Sequence, residues 1–160
     1  SIGQASSDPE IIWGWVIRNL ERLAEELEYH GVMAGKLLVW FDYKNGPTLT
    51  DVASTGAPTR RFSLLLEAIR HAWKRVYIPG LPLYRMHLIA DQLRYGDKVQ
   101  RGLFDPPLEL DRATTRLKLD VNARHGRFAL RSAATLPLQE IYVDESHGYE
   151  VCDIHGKTCF

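Results

Sequence analysis

Apolar residues along this chain recur at two periods, and the alternation between the periods predicts the fold. Ile12, Val16, Leu20, Leu23 and Leu27 return every three or four positions, which predicts a helix with one inward stripe and with Arg18, Arg22, Glu25 and Glu26 facing water. Ser7-Asp8-Pro9-Glu10 ahead of it supplies N-cap candidates, a proline for the first turn and an early acid to match the helix dipole. Tyr29-His30-Gly31 ends it. A second stripe, Leu65, Ile69, Ala72, Trp73 and Val76, predicts a helix opened by Pro58-Thr59 and stopped by Pro79-Gly80-Leu81-Pro82.

Elsewhere the period is two. Lys36 to Tyr43 and Thr48 to Thr55 read as strands joined by Lys44-Asn45-Gly46-Pro47, in which Asn-Gly is the strongest short hairpin signal. Leu83 to Ala90 gives a further strand, and Ser1 to Ser6 a short extended opening piece. The order strand, helix, strand, strand, helix, strand is the split βαβ arrangement (βαββαβ), an α+β fold. Its two helices lie on one face of a four-stranded sheet, because each has a single stripe to bury. Leu37, Val39 and Phe41 point to the helices, which leaves Lys36, Leu38, Trp40, Arg85 and His87 on the open face. Cations on such a face suit a polyanion, although an antiparallel sheet commonly has one solvated face with no ligand at all.

The chain divides into a sheet domain (1–95), a loop (96–106) and a tail (107–160). Gly96 and Asp97 break the last strand, and Pro106-Pro107 close the loop before a helix that carries Arg112, Arg116 and Lys118. Within the loop, Gln100-Arg101-Gly102-Leu103-Phe104 has two adjacent large apolar side chains with a Gln amide three positions ahead. That is the pattern of a short docking peptide, and equally of a loop folded back on its own domain. A closing β-hairpin, Gln139–Val143 with Tyr149–Ile154, is expected to end the tail.

Charge and composition refine this picture. Twenty basic and twenty acidic side chains cancel overall, but residues 1–30 carry two basic and six acidic, residues 31–106 eleven and six, and residues 107–160 seven and eight. The middle of the chain is the basic part. Two cysteines, Cys152 and Cys159, are too few for a disulfide scaffold and suit a reducing compartment. No eighteen-residue apolar run exists to span a membrane. His147, Cys152, His155 and Cys159 place four possible zinc ligands within thirteen residues, but the spacing matches no standard finger and an ordinary hairpin explains them as well, so no metal is expected. Asp144 and Glu145 are neighbours on a strand, point to opposite faces and do not clasp one metal. No phosphate-binding glycine loop and no activated nucleophile is evident. The chain opens at Ser1 without Met, as expected of part of a longer polypeptide.

Ser1-Ile2-Gly3 opening the first strand, the split βαβ order, Ala57-Pro58-Thr59 before the second helix and Gln-x-x-Leu-Phe after the last strand together resemble the little finger of Y-family translesion DNA polymerases. The resemblance spans residues 1 to about 104. Beyond it, Asp120-Val121-Asn122-Ala123-Arg124-His125-Gly126 is similar to the segment after the clamp motif in a bacterial branch of the family.

The resemblance implies a non-catalytic, DNA-binding C-terminal region whose sheet lies in the major groove of a template–primer duplex. The expected contacts are Ser1, Gln4, Ser6, Lys36, Arg60, Arg61 and Arg85. It further implies docking of Gln100, Leu103 and Phe104 on the bacterial sliding clamp, and a cytoplasmic, nucleoid-associated protein serving damage repair. The polymerase chemistry, with its Mg2+ on palm carboxylates, is expected in the parent chain, so no cofactor is expected here. A catalytically inactive relative acting as a clamp-bound adaptor fits the same residues, and the tail is open to a further repair partner. An RNA-recognition module shares the βαββαβ order but needs stacking aromatics on its central strands, and Thr48 to Thr55 has none.

Overall fold

The computed structural model describes residues 2, 4–95, 108–139 and 141, with side chains in the last helix described from 113 onward. Helix α1 (Pro9–Tyr29) is followed by strands β1 (Val32–Tyr43) and β2 (Thr48–Thr59), helix α2 (Phe62–Val76) and strand β3 (Leu83–Asp91). A two-residue strand β4 (Arg94–Tyr95), helix α3 (Leu108–His125) and a turn of 3-10 helix (Ala133–Thr135) complete the order. The start of α1 is built as its sequence dictates. The Asp8 carboxylate accepts from the Glu10 N–H at 2.8 Å, and Pro9 stands in the first turn, where a missing N–H costs nothing. Asn45 adopts φ +56° in the hairpin turn, a conformation that Asn tolerates, and the Gly46 N–H donates to the Tyr43 carbonyl at 3.2 Å.

Helix α2 begins at Phe62, later than Pro58-Thr59 implies. Those residues instead finish β2, where Thr59 pairs with Ala34 across a bulge in β1. Proline is accepted there because β2 is an edge strand, and it biases Ala57 before it toward extended backbone. Thr55 Oγ1 lies 2.8–3.1 Å from the carbonyl oxygens of Ala34, Gly35 and Ala57 and stitches the bulge together.

The sheet order is β2-β1-β3, antiparallel throughout, with β4 pairing the first residues of β1. The expected first strand is reduced to a single bridge, Ser6 with Leu83, plus a bond from the Ile2 N–H to the Tyr84 carbonyl at 3.3 Å. Ile2 and Ser6 on one side and β1 on the other thus flank β3, while β2 and β3 flank β1, so each βαβ unit is split by a strand of the other. One core lies between this sheet and both helices. Leu37, Val39 and Phe41 of β1 meet Ile12, Val16 and Leu20 of α1 and Leu65 and Ile69 of α2. The Tyr43 hydroxyl, whose pKa burial pushes up, donates to the Val76 carbonyl at 2.7 Å and accepts from the Ile78 N–H at 2.8 Å, closing the end of α2.

The outer face of α1 does not meet water as its polarity implies. Glu21, Arg22 and Glu26 are all at least nine-tenths buried, and at Glu21 the cover comes from α3 and the segment after it. Arg22 pairs with Glu26 along the helix, Lys118 of α3 pairs with Glu21, and the Ser132 N–H donates to Glu21 at 3.0 Å. Gly14 is the crossing point. A Cβ there would meet the Ala134 carbonyl at 3.1 Å and the Leu138 side chain at 3.2 Å, and Leu138 itself belongs to the core. The return from α3 is fixed by buried Asn122, whose side-chain amide donates to the Leu130 carbonyl at 3.1 Å and accepts from the Leu130 N–H at 2.7 Å. The expected hairpin after Gln139 falls largely outside the described residues.

This interface carries a pH dependence. Burial raises the pKa of Glu25 and the neighbouring Glu21 carboxylate adds to the rise, while Lys118, Arg22 and Arg127 oppose it. A carboxyl raised on folding contributes stability that is fully present below its unfolded pKa and is lost as pH rises through the folded value. Glu25→Gln is therefore expected to raise the melting temperature at pH 7 and leave it nearly unchanged at pH 4, as measured by thermal melts at both values.

Candidate nucleic-acid interface

The register of the sheet places the side chains of its uncovered face in four rows. From one end of β1 to the other these are Ser54–Lys36–Asp91, Val52–Leu38–Ile89, Thr50–Trp40–His87 and Thr48–Asp42–Arg85. Lys36, Leu38, Trp40, Arg85 and His87 thus share the face that their parity assigns them. Its middle is apolar: Val52, Ile89 and Trp40 are exposed, and the Trp40 ring meets His87 edge-on at 6.1 Å. The cations stand at its ends. Lys36 and Asp42 are six residues apart on β1, so Lys36 and Arg85 are separated by roughly 20 Å along the strand direction.

Asp42 organises the Arg85 end. Its carboxylate accepts from Thr48 Oγ1 at 2.6 Å and from Trp40 Nε1 at 2.7 Å, and it faces an Arg85 nitrogen at 3.9 Å. The hydrogen bond from Thr48, then that from Trp40, hold the Asp42 pKa below the usual carboxylate range, with Arg85 adding to the effect. The group therefore stays ionised to lower pH than an ordinary carboxyl and keeps a negative charge beside Arg85. Its contribution to stability is present above the unfolded pKa and is lost as pH falls through the depressed folded one. The Arg85 guanidinium also lies over the Tyr84 ring at 5.4 Å, and its side chain remains half exposed.

The other expected contacts are dispersed. Arg60 forms an ion pair with Glu28 of α1 at 2.6 Å, and Arg61 is the N-cap residue of α2, so both sit near the helix layer at the Lys36 end of the sheet. Ser6 and Gln4 lie beside β3 near Leu83, at the Arg85 end. Ser6 pairs with Leu83, its hydroxyl oxygen accepts from the Asp8 N–H at 3.1 Å, and Gln4 is exposed. Ser1, Gln100, Leu103 and Phe104 fall outside the described residues, as do His147, Cys152, His155 and Cys159. Parity alone did not reveal the apolar centre that Val52 and Ile89 make with Trp40, nor the Asp42 counter-charge, because both depend on which residues the register sets side by side.

Among the described residues no group of His, Cys, Asp or Glu side chains is placed to hold a metal, and no helix is long and apolar enough to cross a membrane. Of the sheet's carboxylates, Asp42 is committed to Thr48 and Trp40, and Asp51 to Arg75 at 2.5 Å. The model of the impB/mucB/samB family C-terminal domain matches residues 1–103. This chain belongs to that family.

The match covers the sheet layer and both core helices of the impB/mucB/samB C-terminal domain, and it identifies them as the little finger of a Y-family polymerase. The chain is accordingly a C-terminal region of such a polymerase. Comparison with curated proteins and with solved structures gives no match for either. The lack of aromatics in Thr48 to Thr55 does not by itself set aside an RNA-recognition module, because β2 lies at the edge of the sheet and the exposed Trp40 stands on central β1; the family match is what identifies the domain.

Proposed function

We propose that this domain grips the template–primer duplex through its open sheet face, outside the catalytic centre of its polymerase. The observation that carries this is the placement of Lys36 and Arg85 at opposite ends of one uncovered face, on a domain of the impB/mucB/samB family. Their separation exceeds the roughly 12 Å width of the major groove, so each cation meets phosphates of a different strand while the face between them spans the groove. Val52, Leu38 and Ile89 then face sugars and base edges without reading them. Such contacts position the duplex and carry no sequence information.

Asp42 tempers the grip, because its charge lies where the Arg85 phosphate would sit. At roughly 8 Å in water one unit charge acts on another with about 0.5 kcal/mol, so Asp42→Asn is expected to tighten duplex binding two- to threefold at low salt. The gain should vanish above about 0.5 M salt, where the screening length falls to a few ångströms. Fluorescence anisotropy with a labelled primer–template across a salt series checks this. A weaker complex with Asp42→Asn, in a protein that still melts cooperatively, counts against the sheet face as the duplex site.

Clamp docking through Gln100, Leu103 and Phe104 completes the proposal, supported by the Gln-x-x-Leu-Phe spacing next to the family domain. Two buried apolar anchors contribute roughly 1.5–3 kcal/mol each, and ordering the loop takes part of that back, so affinity on the order of micromolar is expected. Replacing Leu103 and Phe104 together by Ala should abolish binding to a bacterial clamp ring and leave the melting temperature unchanged. A large loss of stability instead would identify a loop folded onto its own domain.

A further inference from the structure

On the helix side of the domain, remote from the open sheet face, Trp13 of α1 and the outer residues of α2 line an open cleft of about 440 Å³. Its floor is Trp13 and Trp73. Its rim is Glu67, Arg70, His71 and Lys74, all exposed, with the cations on successive turns of α2. We infer that this cleft is a docking site for an acidic peptide segment of a partner protein, which seats one bulky apolar side chain on the two indoles and places carboxylates against Arg70 and Lys74.

The ring geometry selects the class of ligand. Trp73 stacks on Tyr77 with centroids 4.3 Å apart and planes 11° from parallel, and it meets Trp13 at 5.1 Å and Phe41 at 5.9 Å edge-on. One face of the Trp73 indole is thus covered and the rest of the ring is wedged by neighbours. Trp73 thus presents to the cleft a ring already packed on one face, unlike the free aromatic platforms on which nucleic-acid bases stack. A notch bounded by ring edges accepts an aliphatic or aromatic side chain in the manner of an interface anchor. The volume lies within the range of pockets that hold such groups. The charge of the rim then selects among peptides. Two full cations, with His71 beside them, outnumber the single carboxylate of Glu67, so an acidic segment is favoured and a basic one is repelled. A groove between two helices also offers the ridges against which a partner helix packs.

The test uses the whole 160-residue chain and an amphipathic fifteen-residue peptide with one central Trp flanked by Glu. The four tryptophans, Trp13, Trp15, Trp40 and Trp73, each give an indole N–H signal. Titration should shift those of Trp13 and Trp73 and leave that of Trp40, on the opposite side of the sheet, in place. The charge-reversing pair Arg70→Glu and Lys74→Glu should weaken binding at least tenfold, and replacing the flanking Glu residues by Lys should do the same. Three outcomes overturn the inference: unchanged affinity in the charge-reversed protein, equal binding of an oligo-Glu peptide with no Trp, or tighter binding at this cleft by single-stranded oligothymidylate. None of these bears on duplex binding by the sheet face, which is measured separately.

Discussion

Lys118→Ala should lower stability by about 3 kcal/mol and the melting temperature by about 10 °C, one of the larger effects expected of any single change outside the core. The reason lies in Glu21. Its side chain is 2% exposed and its carboxylate is held by Lys118 and the Ser132 N–H alone among the described contacts. Taking away one partner of a buried ion pair costs about 3–5 kcal/mol because the remaining charge is left without compensation. Lys118 is itself one-fifth exposed, so water moderates the loss and the lower end of that range applies. The same lysine lies 5.8 Å from the centre of the Phe62 ring, and its removal also loosens α3 from the start of α2. Replacing Glu21 and Lys118 together by Leu and Met should restore part of the stability, since an apolar pair of similar volume leaves no charge unpaired and only the Ser132 N–H loses its acceptor. Urea melts of the parent and these two variants decide the matter. A single mutant within 0.5 kcal/mol of the parent would mean that α3 does not clasp Glu21 of α1 in solution.

That clasp was the least legible feature of the sequence, and for a physical reason. Glu21, Arg22 and Glu26 form a polar stripe opposite the apolar one, and local periodicity reads such a stripe as solvent-facing. The Ser132 N–H that meets Glu21 arrives more than a hundred residues later. The one local trace is Gly14, a glycine inside a helical stripe, which the structure explains by the carbonyl of Ala134 pressing against it. Where the chemistry is local, the sequence is plain. Asp8-Pro9 fixes the start of α1, Asn45-Gly46 the hairpin, and the parity of β1 its two faces. Pro58 is the instructive middle case. Proline favours the first turn of a helix and is also tolerated on an edge strand, and only the pairing of Thr59 with Ala34 shows that the strand wins. The candidate site divides in the same way. Lys36, Trp40, Arg85 and His87 follow from alternation, whereas the Asp42 carboxylate beside Arg85 follows from register, which no single strand encodes.

Neutralising both ends of the sheet face should cost the domain its duplex affinity. Lys36→Gln with Arg85→Gln removes two phosphate contacts, each of which contributes about 0.9 to the slope of log affinity against log salt. Gln is chosen over Glu because a carboxylate at position 85 would oppose Asp42, whereas a neutral side chain leaves the bonds from Thr48 and Trp40 in place. The effect should be uniform across duplex sequences, since these contacts position and do not read. Arg124→Gln, on the exposed side of α3, serves as the control. The deciding measurement is the salt-dependent affinity of parent, double mutant and control for one labelled primer–template. The expected result is a slope shallower by about 2 and roughly tenfold or greater loss at 0.1 M salt in the double mutant alone; an unchanged slope, or an equal loss in Arg124→Gln, would contradict the assignment of the open sheet face to the duplex.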